Sequence, residues 1–117
     1  MTAIQTLRGP VDLDQLGQTM MHEHVFFGNW GEERWRGPSI AFAGQELNKL
    51  AGCGAQTLVD VGPHPALDMA WYSQLAPQLD LQILVSTGFY LEHQAPDALR
   101  DQSEAQYVDR FTRELTA

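Results

Sequence analysis

The sequence predicts an α/β fold, a parallel sheet covered by helices and opened by a short β-hairpin. Two observations lead there. Residues 19–27, 57–61 and 81–87 read as strands, and a stretch of helical periodicity comes after each of them. The strands are close to continuously apolar rather than alternating, as in sheets buried by helices.

Each element follows from its residues. Residues 4–8 alternate apolar and polar, Gly9-Pro10 signals a turn, and residues 11–13 resume the alternation, which predicts the hairpin. Residues 14–17 fit one helical turn ended by Gly17. Residues 19–27 hold the strand core Met20-Met21-His22-Glu23-His24-Val25-Phe26, and residues 28–39 read as a long loop with Trp30 and Trp35. Residues 41–51 carry Phe42, Leu47, Leu50 and Ala51 at helical spacing, with Gly52 and Gly54 as the stop. The strand at 57–61 ends at Gly62-Pro63, and the helix predicted over 66–79 is limited by Pro77. The strand at 81–87 stops at Gly88, residues 89–102 read as loop, and residues 103–115 as a final helix. That helix has an apolar stripe of Ala105, Tyr107, Val108, Phe111 and Leu115, and Ser103 with Gln106 fits a capping box.

Hairpin, β-α, β-α, β-α fits either an open doubly wound sheet or part of a (βα)8 barrel. Neither Gly-x-Gly-x-x-Gly nor a phosphate-loop lysine follows any of the strands, which argues against nucleotide binding. The 117 residues suffice for one domain, and 44% hydrophobic with 19% charged residues is ordinary for a globular protein. A net charge of -8, with scattered Lys and Arg, argues against nucleic acid and anionic membrane surfaces as partners. The first ten residues lack a signal-peptide apolar region and no run approaches a membrane span, so a soluble, cytoplasmic protein is expected. Cys53 is the only cysteine, which excludes an intrachain disulfide, and its small-residue surroundings predict a buried or partly buried thiol.

His22 and His24 stand two apart on a predicted strand, so both imidazoles project to one face and could ligate one divalent cation such as zinc. Glu23 points to the other face. The pair lies near the C-terminal end of the first strand after the hairpin, the end where (βα)8 enzymes build their sites. The alternative is a pair of histidines with no ligand role. Asp60, inside an apolar strand, needs a partner; it is either an acceptor that steadies the metal-binding histidines from behind or a buried structural carboxylate. His64 and His93 fall in loops and read as solvated, and Trp30 and Trp35 either line a pocket or cover helices.

These residues resemble a known family. The runs Thr6-Leu7-Arg8-Gly9-Pro10 and Leu16-Gly17-Gln18-Thr19-Met20-Met21-His22-Glu23-His24-Val25-Phe26 look like the opening of the phosphotriesterase-like family of the amidohydrolase superfamily. The likeness continues through Gly54-Ala55-Gln56-Thr57-Leu58-Val59-Asp60-Val61, Ile83-Leu84-Val85-Ser86-Thr87-Gly88-Phe89-Tyr90 and Phe111-Thr112-Arg113-Glu114-Leu115. It implies the first three βα units of a (βα)8 TIM-type barrel, with residues 1–17 as hairpin and turn and 18–117 as the three units of one incomplete domain. It implies two divalent metals per complete barrel, zinc first and iron, cobalt or manganese as alternatives, with His22 and His24 on the more buried one. A hydroxide held between the metals would attack a lactone, carboxyl ester or phosphotriester. The remaining ligands, a bridging lysine among them, belong to later strands, so this stretch holds no catalytic residue of its own; Lys49, on the first helix, is no substitute. Tyr90 matches a position where lactone-opening members tend to have Tyr, and is the candidate substrate-binding residue, the alternative being an aromatic packed over the barrel mouth with its hydroxyl in water.

Two further readings stand beside the hydrolase. The chain is a catalytically inert piece that binds metal weakly, or it pairs with a second chain to complete the barrel. A complete barrel is expected to be a homodimer acting on a small ester or lactone. Three strands alone leave bare edges, which predicts oligomers or aggregates. Pro63-His64-Pro65 departs from the family pattern.

Overall fold

The computed structural model describes residues 3–26, 36–62, 69–88 and 97–116. Strands β1 (Ala3–Thr6) and β2 (Gly9–Asp12) form an antiparallel hairpin. Strands β3 (Thr19–Glu23), β4 (Thr57–Asp60) and β5 (Gln82–Val85) form a parallel sheet in that order. The helices are α1 (Arg36–Gly52), α2 (Met69–Leu75), α3 (Asp97–Arg100) and α4 (Glu104–Thr116). The predicted parallel α/β order is therefore present among the described residues.

The hairpin turns two residues earlier than expected. Leu7 and Arg8 make the turn, while Gly9 and Pro10 open β2. Gly9 takes φ 109°, a left-handed conformation that glycine adopts without strain. The Thr6 hydroxyl accepts the Arg8 N–H at 3.2 Å and donates to the Gly9 carbonyl at 2.7 Å. Pro10 is tolerated because β2 is an edge strand. Arg8 then ties the hairpin to the start of β5, donating to the Leu79 carbonyl at 2.7 Å and the Leu81 carbonyl at 3.0 Å. The N–H groups of Gln82, which opens β5, and of Ser86, just past its end, reach the carbonyls of Gln56, just before β4, and Asp60, its last residue, so the Ile83 carbonyl lies on the opposite edge. There it accepts the Leu7 N–H at 2.9 Å, and the hairpin blunts part of that edge.

Helix α1 begins at Arg36, five residues before the predicted start. Gly37 and Pro38 fall in its first turn, where a missing N–H costs nothing. The α-helical part of α2 stops at Leu75, and the chain tightens into a 3-10 turn over Ala76–Gln78 that accommodates Pro77. The segment predicted as loop over 89–102 contains the short helix α3. Helix α4 opens on the expected capping box: the Ser103 N–H donates to Gln106 Oε1 at 2.7 Å and the Gln106 N–H to Ser103 Oγ at 3.3 Å.

One apolar core lies between the sheet and two helices. Ile40 and Ala43 of α1 and Trp71, Tyr72 and Leu75 of α2 pack on Leu58, Leu81 and Ile83. By contrast, no residue of α4 is buried, and Val108 and Leu115 of its apolar stripe are exposed. Cys53 is exposed, contrary to expectation. Its stretch of small residues closes α1 instead of packing: the Cys53 N–H bonds the Leu50 carbonyl and the Gly54 N–H the Ala51 carbonyl, in a surface turn.

Candidate metal centre

His22 is the fourth residue of β3, and His24 follows the strand's last residue. The face they occupy is decided by an irregularity. Met20 pairs with Leu58 and Glu23 with Asp60, so β3 uses three residues where β4 uses two. Leu58 and Asp60 point to the helices: the first is in the core and the second bonds Tyr72 of α2. Their partners Met20 and Glu23 take the same side, and Glu23 with Leu58 lines a cleft of about 440 Å³ against α1. Plain alternation from Met20 would have sent both histidines to the helix side as well. The extra residue reverses the phase and turns His22 and His24 to the open face, and His24, past the end of the strand, also borders the cleft against α1. Both are exposed, with ring centroids 5.5 Å apart and planes at 70°.

This makes a specific forecast. Deleting Met21 removes the extra residue, so β3 should straighten, His22 should pair with Val59, and both imidazoles should stay on the open face. Accessibility of both histidines to diethyl pyrocarbonate, compared with wild type, checks it. Protection of either ring in the deletion variant refutes the bulge assignment.

Asp60 ends β4 with its side chain 1% exposed. Its carboxylate is well satisfied: Oδ1 accepts the Gly62 N–H at 2.9 Å, and Oδ2 accepts the Tyr72 hydroxyl at 2.6 Å and the Val25 N–H at 3.1 Å. Burial, and then the hydrogen bond and charge of Asp60, push the Tyr72 phenol above its ordinary range, so it stays a neutral donor. Just upstream of Val25, the Glu23 carbonyl accepts the Val61 N–H at 3.0 Å. The backbone on both sides of His24 is thus held by β4 and its continuation, at the C-terminal end of a parallel sheet. Phe26, two residues on, sits edge-to-face against Trp71 and Tyr72, with centroids 5.2 and 5.1 Å away.

Two imidazoles on one open face fit half of a four-coordinate site for zinc or a similar ion, and their exposure leaves room for other donors. Among the described residues there is no cluster of three or more His, Cys, Asp or Glu placed to hold a metal. Tyr90, His64, His93, Trp30, Trp35 and the Pro63-His64-Pro65 segment lie outside the described residues. Lys49 is on α1, exposed and paired with Glu46 at 2.6 Å. The sequence reading missed Tyr72, because a tyrosine in an apolar helical stretch carries no sign of which carboxylate it meets. Among the described residues no helix is long and apolar enough to cross a membrane.

Comparison with known proteins identifies the family. The sequence model of the Phosphotriesterase family matches residues 2–117. A phosphotriesterase homology protein of Mycobacterium tuberculosis is 31% identical over 137 residues, covering 98% of this chain and 40% of the relative. The solved structure of the phosphotriesterase from Mycobacterium tuberculosis is 28% identical with a TM-score of 0.78, over 96% of this chain and 39% of that one. A double mutant of an organophosphorus hydrolase from Deinococcus radiodurans is 32% identical with a TM-score of 0.67, over 77% and 29%. The chain therefore spans about two-fifths of the length of the curated relative. With its strand order, its histidine pair and a family match from residue 2 to residue 117, this chain belongs to the phosphotriesterase family.

Proposed function

We propose that this chain supplies half of a divalent-metal site to a hydrolase acting on a lactone, a carboxyl ester or a phosphotriester. The observation that carries the reading is the His22–His24 pair, 5.5 Å between rings on the open face at the C-terminal end of the sheet. Family membership supports it, as does the description of a similar protein as an organophosphorus hydrolase. Zinc is the preferred ion, with iron, cobalt and manganese as alternatives, since imidazole suits them all. Such an ion supplies Lewis acidity toward a carbonyl or phosphoryl oxygen and a water of lowered pKa. The chain's own residues hold and orient it. His22 and His24 ligate through neutral imidazoles, and Asp60 fixes the backbone that carries His24. Glu23 lines the cleft against α1, which His24 also borders, and is assigned no ligand role. Tyr90 is assigned a hydrogen bond to the substrate, which favours lactones among the three classes. The chain is the first part, three βα units in residues 18–117 behind the hairpin at 1–17, of a (βα)8 barrel in the cytoplasm, a homodimer when complete.

A second reading keeps the metal pair but not the chemistry. Two ligands are half a site, and β3 and β5 are edge strands of the described sheet. In that reading the chain is inert alone, associates through those edges, and needs a partner polypeptide. One experiment separates the two: Zn2+ titration of the chain by calorimetry, followed by assay against an aliphatic lactone, an aryl ester and a phosphotriester of the Zn2+-loaded chain joined to the remaining strands in one polypeptide, and of the chain mixed with those strands as a separate polypeptide. Turnover of any one substrate by the joined polypeptide supports the hydrolase. Turnover by the mixture alone, or binding without turnover in either, supports the second reading. Absence of Zn2+ binding removes both.

A further inference from the structure

His24 lies one residue beyond the regular ladder, since β3 ends at Glu23. A ligand at such a place needs its backbone held by something other than strand pairing. Asp60 Oδ2 supplies this. It accepts the Val25 N–H at 3.1 Å, as a carbonyl of the neighbouring strand would. A carboxylate can rotate about its last bond, whereas a ladder carbonyl cannot. Here the rotation is stopped from both sides: Gly62 N–H holds Oδ1, and the Tyr72 hydroxyl holds Oδ2 at 2.6 Å. Tyr72 is itself 0% exposed and set in the rigid core, so its hydroxyl is a fixed point.

We propose that Tyr72 is a positioning residue for the metal site: its hydroxyl aims the Asp60 carboxylate at the Val25 N–H and so holds the backbone that carries His24. The inference rests on the reading of His22 and His24 as metal ligands. It places a determinant of that site on α2, a helix that carries neither proposed ligand. Groups that hydrogen-bond a ligand directly commonly set metal affinity over about ten- to a hundredfold, and Tyr72, acting through Asp60 and the Val25 N–H, is expected at the lower end.

Tyr72→Phe isolates the hydroxyl, because the ring and its contact with Phe26 remain. Ile83→Val is the control: it loosens the same core at a residue outside the Tyr72–Asp60–Val25 chain. Both variants and the wild-type chain are titrated with Zn2+ alone under conditions where each is fully folded, and amide hydrogen exchange at Val25 is followed without metal. Tyr72→Phe should bind Zn2+ about tenfold more weakly and exchange the Val25 amide faster, while Ile83→Val keeps wild-type affinity. Equal affinity in Tyr72→Phe and wild type overturns the inference alone. Equal weakening in Ile83→Val also overturns it, since the effect would then be general loosening. A wild-type chain that binds no Zn2+ overturns the underlying metal reading as well.

Discussion

Replacing Asp60 with Ala should destabilise the fold by about 3–5 kcal/mol, out of the roughly 5–15 kcal/mol available to a small domain. The reason is the list of donors left behind. The Gly62 N–H, the Val25 N–H and the Tyr72 hydroxyl all bond this carboxylate, and the residue is buried. Each donor stranded away from water costs about 1–3 kcal/mol, and a methyl side chain offers them nothing. The Tyr72 hydroxyl is the worst case, since it is buried in the core and cannot turn to solvent. Asp60→Asn should fall between wild type and Ala: it keeps the shape and one acceptor oxygen, but its NH2 faces donors at the other position. Urea unfolding with a common slope measures both. A loss below about 1 kcal/mol in Asp60→Ala would mean that water replaces the carboxylate at low cost.

The other large effect concerns the imidazoles. His22→Ala or His24→Ala should weaken Zn2+ binding by more than the about tenfold expected for a change one step removed, and the double variant should show no saturable binding. Both histidines are exposed and outside the apolar core, so neither substitution should shift thermal unfolding appreciably. That separation gives the test its value: affinity falls while stability holds, whereas Asp60→Ala costs stability. Retained affinity in the double variant would assign the ion to other residues and end the metal reading of this pair.

Much of this fold was legible residue by residue. The strands at 19–27, 57–61 and 81–87 appear as β3, β4 and β5, the first two shortened at the C-terminal end and the third at both, because apolar runs between glycines have few alternatives to a buried strand. The capping box at Ser103 was legible because its chemistry is entirely local. The turn at Leu7-Arg8 was misplaced by two residues, since Gly9-Pro10 suits either a turn or the first residues of an edge strand. Cys53 was misjudged because small residues serve helix ends as well as interiors. The α4 stripe is real in sequence, yet sequence does not state what covers it, and within the described residues it remains unburied.

The histidine pair shows where local and tertiary information divide. By itself the sequence determined that two imidazoles stand two apart on a strand and so share a face, because side chains alternate along any extended chain. It also determined that a buried Asp60 must find partners. Which face the imidazoles share was decided only in the assembled sheet. There the extra residue between Met20 and Glu23 reversed the phase set by Leu58. The partners of Asp60 were decided there too, since Val25 and Tyr72 are 35 and 12 residues away in the chain. Periodicity is a property of neighbours along the chain; phase and partnership are set by packing between distant segments, and no local pattern encodes them.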